Sequence, residues 1–264
     1  MLSLSLYAAV KVSASIGIVV LLSVIAEWAG PRVAGIASGY PLGAAISLFF
    51  IGLEIGPAFA AESAIYTTAG LTATLAFVCG YLAGLKLSRG LSRFLAIPTT
   101  LLPALLAYGI VAWLLSIVSP SALVAFLITL TSIILTDRLF RSIPNAGIKK
   151  KIEFSLTVTL ARAAFAALII LGVTAVAGIV GPEWAGLFSA FPITMLPLLV
   201  IIQFTYQPAH VRAIIRNVPH GLGSLLVYTL VVSAAYPSIG VGWGTITGYG
   251  AATLYLVLRE YRVY

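Results

Sequence analysis

Two cations stand where a bilayer-spanning chain accommodates them least. Lys11 and Arg162 lie 151 residues apart, each about a third of the way into a long apolar run. An unpaired cation in hydrocarbon is costly, so each must face the protein interior or snorkel to a headgroup layer. Facing inward, they would serve as counter-charges for an anionic substrate, one towards each membrane face. Glu54 and Glu62 bracket the turn IGPAFAA. Glu54 could carry a proton or pair with Lys11; otherwise both glutamates are solvated loop ends.

A second kind of chemistry resides in the backbone. The stretch AGIASGYPLG (Ala34–Gly43) and its counterpart AGLFSAFP (Ala185–Pro192) place Gly, Ser and Pro inside apolar runs. Proline removes one helical hydrogen bond and clashes with the carbonyl four residues back. In lipid the freed carbonyl needs another donor, and Ser38 or Ser189 is a local candidate. Gly35 and Gly186 permit close helix approach or unwinding. Ser38, Gly39, Tyr40 and Pro41, with Ser189, Phe191, Pro192 and Thr194, are therefore candidate substrate-binding residues. The competing reading is a pair of proline kinks packed tightly by small residues.

The solvent of these segments follows from composition. The chain has 264 residues, 61% hydrophobic and 8% charged, with a mean hydropathy of +1.12. A soluble domain carries about a quarter charged residues, so lipid must cover this one. The net charge of +8 then reports membrane orientation rather than nucleic-acid binding. The start of the chain lacks a basic n-region and reads as a retained span, not a signal peptide. Cys79 is the single cysteine, which excludes intramolecular disulfides and cysteine-rich metal sites. Both histidines fall near one turn, and there is no HExxH, GxSxG or Walker A sequence. No cofactor, metal or catalytic role is expected: the chain moves something rather than transforming it.

Runs of roughly 20 residues can cross the hydrocarbon. We place them near 4–26, 33–53, 63–85, 94–117, 120–136, 154–179, 184–205, 214–235 and 240–258. With nine spans, one side receives Arg32, Lys86, Arg89, Arg93, Arg138, Arg141, Lys149, Lys150, Lys151, Arg212, Arg216, Arg259 and Arg262. The other side's loops receive no Lys or Arg. The positive-inside rule makes the basic side cytoplasmic, with the N-terminus outside and the C-terminus inside the cell membrane. The turn QPAHVRAIIRNVPHG, holding His210, Arg212, Arg216 and His220, reads as an interfacial basic patch for anionic lipid or as an anion vestibule.

Residues 30–71 align on 181–222 without a gap, with 12 identities in 42 positions against about 4 expected by chance. Matched pairs include Gly30/Gly181, Pro31/Pro182, Ser38/Ser189, Pro41/Pro192 and Pro57/Pro208. Lys11 and Arg162 share the same offset. Span 5 has no partner and reverses the second copy, an inverted-topology duplication. The division is 1–118 for the first repeat, 119–152 for span 5 and a basic loop, and 153–264 for the second repeat.

AGLFSAFP and AGIASGYP each resemble the AG-x-x-x-x-FP stretch of small bacterial membrane proteins of the GlpM type. The likeness covers about 40 residues per half, and the first copy departs with Tyr40 before the proline. It implies a helical, repeat-built membrane protein and no particular activity.

The expected molecule is thus all-α and polytopic, about nine transmembrane helices in two inverted repeats. It would be a secondary transporter for a small anionic or amphipathic organic solute, working by alternating access. A lipid or polyprenyl-phosphate flippase, an ion channel and a non-transporting scaffold are the alternatives. The solute, a coupling proton or sodium ion, and the oligomeric state stay open.

Overall fold

The computed structural model describes residues 9, 10, 12, 13, 16, 17, 36, 40–144, 156–205 and 208–261. Every regular element among them is a helix: α1 (Gly43–Glu54), α2 (Pro57–Leu87), α3 (Arg93–Val118), α4 (Ala122–Phe140), α5 (Leu156–Ser189), α6 (Met195–Thr205) and α7 (Pro208–Tyr261). Five have segments long and apolar enough to cross a membrane: Pro57–Leu87, Arg93–Val118, Ala122–Phe140, Ala167–Ser189 and Pro208–Arg259. Two shorter apolar helices accompany them, Gly43–Glu54 and Met195–Phe204. The chain is therefore a bundle of apolar helices, as a membrane protein requires.

The span read at 4–26 lies mostly outside the described residues. That at 33–53 enters α1 only at Gly43, and that at 154–179 runs on to Ser189 in α5. Two further differences concern the second half. The segment 184–205 is not one helix, because residues 190–194 interrupt it. The segments 214–235 and 240–258 join into the single 54-residue α7. At 1.5 Å per residue α7 would extend ~80 Å, far beyond a ~30 Å hydrocarbon layer, and Gly240 resolves this. Its φ of 79° and ψ of 168° lie in a region open essentially to glycine alone. The chain folds back there, so that Gly244 packs on Tyr236, Gly248 on Tyr228 and Val232, and Arg259 donates to the His220 carbonyl at 3.0 Å. Gly181 adopts nearly the same angles, 82° and 168°, and breaks α5 just before Pro182.

At the centre lies α2, which packs against α1, α3, α4, α5 and α7. Lipid tails are as apolar as leucine, so helices in a bilayer associate through close packing and hydrogen bonds rather than hydrophobic drive. The sequence of α2 suits that task, presenting Ala60, Ala61, Ser63, Ala64, Thr67, Thr68, Ala69, Gly70, Ala73 and Thr74 as buried residues. Its threonines reach across helices as well as back along α2. Thr68 Oγ1 donates to Thr229 Oγ1 at 2.8 Å, and Thr129 of α4 donates to the Thr68 carbonyl at 2.6 Å. At Gly84 an added Cβ would stand 2.5 Å from the Thr100 carbonyl, so the α2–α3 hairpin closes backbone to backbone. The outer faces of α3 and α4 expose Phe94, Leu102, Trp113, Leu123 and Leu135, which suits contact with lipid.

The described cations gather at one end of the bundle. Lys86, Arg89 and Arg93 lie where α2 meets α3, and Arg138 and Arg141 lie at the end of α4. Contacts bring the others to the same place: Arg216 of α7 donates to the Ile143 carbonyl at 2.5 Å, and His220 meets Asp137 at 3.4 Å. Glu54 and Glu62 lie near the α1–α2 junction, at the opposite end of α2.

Candidate functional site

The two helix breaks adjoin one another. Residues 40–42 precede α1, and residues 190–194 separate α5 from α6. A Cβ added at Gly43 would stand 3.6 Å from the Ile193 Cβ and 3.9 Å from the Thr194 methyl. Two prolines far apart in sequence thus bring their irregular segments side by side in the bundle interior.

In the second break every candidate residue is placed. Ser189 is buried and donates to the Ala185 carbonyl at 2.8 Å. This corrects the local repair expected from sequence, since the carbonyl four residues before Pro192 belongs to Phe188 and accepts from the Phe191 N–H at 3.1 Å. Phe191 is half-buried, edge-on to Tyr108 at 5.0 Å and to Phe77 at 6.1 Å between ring centroids. Pro192 is buried and Thr194 half-buried.

Hydroxyls of neighbouring helices, which the sequence reading did not single out, cover the carbonyls of this break. Thr67 Oγ1 donates to Gly186 O at 3.0 Å, Tyr108 Oη to Leu187 O at 2.5 Å, and Thr74 Oγ1 to Ala190 O at 2.6 Å. The sequence signal was the spacing of Thr67 and Thr74, seven residues apart on a helix rich in small residues, which sets both hydroxyls on one face. Replacing Thr74 with Val keeps the shape but leaves the Ala190 carbonyl without that donor. The expected cost is ~1–3 kcal/mol, read as a lower melting temperature of detergent-purified protein, with a smaller effect for Thr99→Val, whose hydroxyl bonds only within its own helix.

In the first break, Tyr40 shares a 2.7 Å hydrogen bond with Thr253 Oγ1 and tilts against Tyr249 at 6.0 Å. Pro41 is buried beside it. Glu54 is the exposed last residue of α1. Lys11, Ser38 and Gly39 lie outside the described residues, as does the side chain of Arg162.

The segment read as the turn QPAHVRAIIRNVPHG is helical from Pro208 onward. Proline at the first helical position costs nothing there, because its missing N–H would be unpaired anyway. The helix buries Val211, Ala213, Ile214, Ile215, Asn217 and Val218, so it is a core element rather than a surface patch. Arg212 and Arg216, one turn apart, diverge in role. Arg216 holds the end of α4 through Ile143, while Arg212 borders two cavities.

The smaller cavity, about 410 Å³, lies between the α2–α3 turn and the start of α7, bordered by Ser88, Arg89, Arg93, Gln203 and Arg212. The larger, about 660 Å³, opens between the ends of α2 and α4 and is lined mainly by apolar side chains, with Lys86, Arg89 and Arg212 among them. Among the described residues neither wall carries an Asp or Glu. Gln203 is fixed in place by Tyr81, whose hydroxyl donates to Oε1 at 2.6 Å, while its own Nε2 donates to Thr100 at 2.9 Å. A cavity whose described lining is basic and carries no carboxylate is suited to an anion. Among the described residues no group of three or more His, Cys, Asp or Glu could hold a metal ion.

No family model, curated protein or solved structure matches the chain.

Proposed function

We propose that the protein is a membrane transporter for a small anionic or amphipathic organic solute, with the paired helix breaks as its moving centre. The observation that carries this reading is the contact between the two breaks, at Gly43 and at Ile193–Thr194. Irregular backbone at membrane depth persists only where protein or a water-filled cavity covers it. Two such segments meeting at one place are the usual construction of a transporter's substrate site. The basic cavities at one end supply the preference for anions.

The inverted repeat supports the same reading. Pro57 and Pro208 each begin a long helix at the shared offset, and the breaks at 40–42 and 190–194 fall at matching positions. Each long helix is also the first limb of a hairpin. The basic end is cytoplasmic by the positive-inside rule, in the cell membrane. In the conformation described, Thr67, Thr74 and Tyr108 close the second break, and rocking of one half against the other would release those carbonyls to a solute.

One observation favours a second reading. Gly186, Leu187, Ser189, Ala190 and Ile193 are all buried with their partners made, which also suits a scaffold whose breaks exist for packing. Solvent accessibility separates the two without knowledge of the solute. In a Cys79→Ser background, Thr194→Cys should react with a membrane-impermeant maleimide from each side of the membrane in turn as the site alternates. Failure to react from either side would overturn the transport reading in favour of the scaffold.

A further inference from the structure

We propose that the basic end binds a lipid-borne phosphate, with its anionic headgroup among Arg89, Arg93 and Arg212 and its tail in the adjoining apolar cavity. The inference takes from the preceding reading only that this end lies at a headgroup layer.

Three observations converge on it. The Nε of Arg212 is buried without a hydrogen-bond partner. Arginine is always charged and offers its five N–H groups in a rigid fork, so a buried unfilled donor on it marks a place for an oxyanion. Among the described residues, moreover, Arg89, Arg93 and Arg212 have no ion-pair partner; the bridges present join Asp137 to Arg141 and to His220. The described carboxylate nearby, Asp137, is thus already engaged, and three guanidinium groups border a space of about 410 Å³ with no counter-charge among the described residues that line it.

The third observation is the second cavity. It shares Leu85, Arg89 and Arg212 with the first, so the same arginines border both. Beyond them its wall is apolar, including Leu82, Phe140 and Ile143, and its rim carries Leu87 and Leu139, which are 67% and 62% exposed. A free phosphate ester would use only the polar chamber. A chain attached to the phosphate would fill the apolar one and leave between Leu87 and Leu139 into the surrounding lipid. A volume of about 660 Å³ is within the range of small-molecule sites. Snorkelling into bulk headgroups would satisfy an exposed arginine, but the Arg212 Nε is buried and its side chain borders both half-open cavities.

The test is equilibrium binding to the purified full chain in neutral detergent, with short-chain phosphatidic acid as probe and phosphatidylcholine of the same chains for comparison. We expect saturable binding of phosphatidic acid, at least ten-fold tighter than phosphatidylcholine. Arg212→Gln should weaken it ten-fold or more, and Arg212→Lys should recover part of the loss. Arg141→Gln removes the same charge at the same end, but from a side chain paired with Asp137 and 72% exposed, and should change binding less than two-fold. Equal losses in the Arg212→Gln and Arg141→Gln proteins would overturn the site, because only diffuse charge would then be at work. Inorganic phosphate should fail to displace the probe at concentrations a hundred-fold above it; effective displacement would overturn the lipid-borne assignment. A melting curve for each variant separates lost binding from lost fold. Since this assay does not depend on movement, failure of Thr194→Cys to alternate in accessibility would sink the transport reading and leave this site standing.

Discussion

Gly186→Leu should prevent stable folding, at a cost of ~3 kcal/mol or more, since overpacking a close contact destabilises by that order. The reason is local and severe. A Cβ at Gly186 would run into the Ser63 carbonyl and the Tyr66 Cβ of α2. Neither is the free end of a flexible side chain, so α2 and the 182–189 limb of α5 would have to separate. Separation would also break the Thr67 bond to the Gly186 carbonyl and the Thr74 bond to the Ala190 carbonyl, exposing unpaired polar groups where no water is at hand. Gly172→Ala is the matched control, because an added Cβ there meets nothing within 4 Å, and alanine should hold the helix at least as well as glycine. Size-exclusion profiles and melting temperatures in detergent give the comparison. An unaltered melt for Gly186→Leu would mean that the two helices do not pack through this glycine.

What was legible in the sequence was whatever the bilayer enforces one segment at a time. Length and apolarity located α3 to within one residue at each end and α4 to within four, because a lipid-exposed helix must be apolar throughout and must end near charges or turn residues. The breaks were legible as well, but from proline together with neighbouring Gly and Ser, since Pro98 and Pro103 lie inside α3 and Pro219 inside α7 without ending the helix. Less visible was how the breaks are repaired. Ser189, the nearest hydroxyl in the chain, bonds Ala185 instead. The hydroxyls that cover the break come from Thr67, Thr74 and Tyr108, between 79 and 119 residues away in sequence. Pairings of that separation are set by which helices touch, and apolar periodicity does not carry that information when every face of a helix is apolar.

The segment from His210 to His220 misled for a related reason. Two histidines, two arginines and a second proline read as a cytoplasmic turn, yet Val211, Ile214, Ile215 and Val218 keep a buried face beneath them. Helical spacing of those four residues was present in the sequence, and the charges masked it. The same segment makes Arg212 informative: a cation on a core helix must find either a protein partner or a ligand, and the protein supplies its Nε with none.

Gly43→Cys combined with Ile193→Cys, in a Cys79→Ser background, should form a disulfide under mild oxidant and lock the two breaks together. An added Cβ at Gly43 lies 3.6 Å from the Ile193 Cβ, and a relaxed disulfide spans about 3.5–4.5 Å between Cβ atoms. The bridge would close a loop of 150 residues, so the unfolded chain should lose entropy equivalent to ~5 kcal/mol of stability. Formation of the bond alone tests the contact: absence of cross-linking in both detergent and bilayer would show that the breaks do not meet. The functional consequence then divides the readings sharply. If the breaks are the moving centre, the oxidised protein should lose the alternating reactivity of Tyr40→Cys with an impermeant maleimide from the two sides of the membrane. The accessibility of Tyr40→Cys and Thr194→Cys, measured with Ser in the bridge positions, should still alternate in the unlocked protein. A scaffold built around two packed kinks predicts the opposite pairing, a bridge that forms readily and raises the melting temperature while changing no other property. Locking a contact that is already closed alters function only when function requires it to open, and this double variant asks that of the place where the two breaks meet.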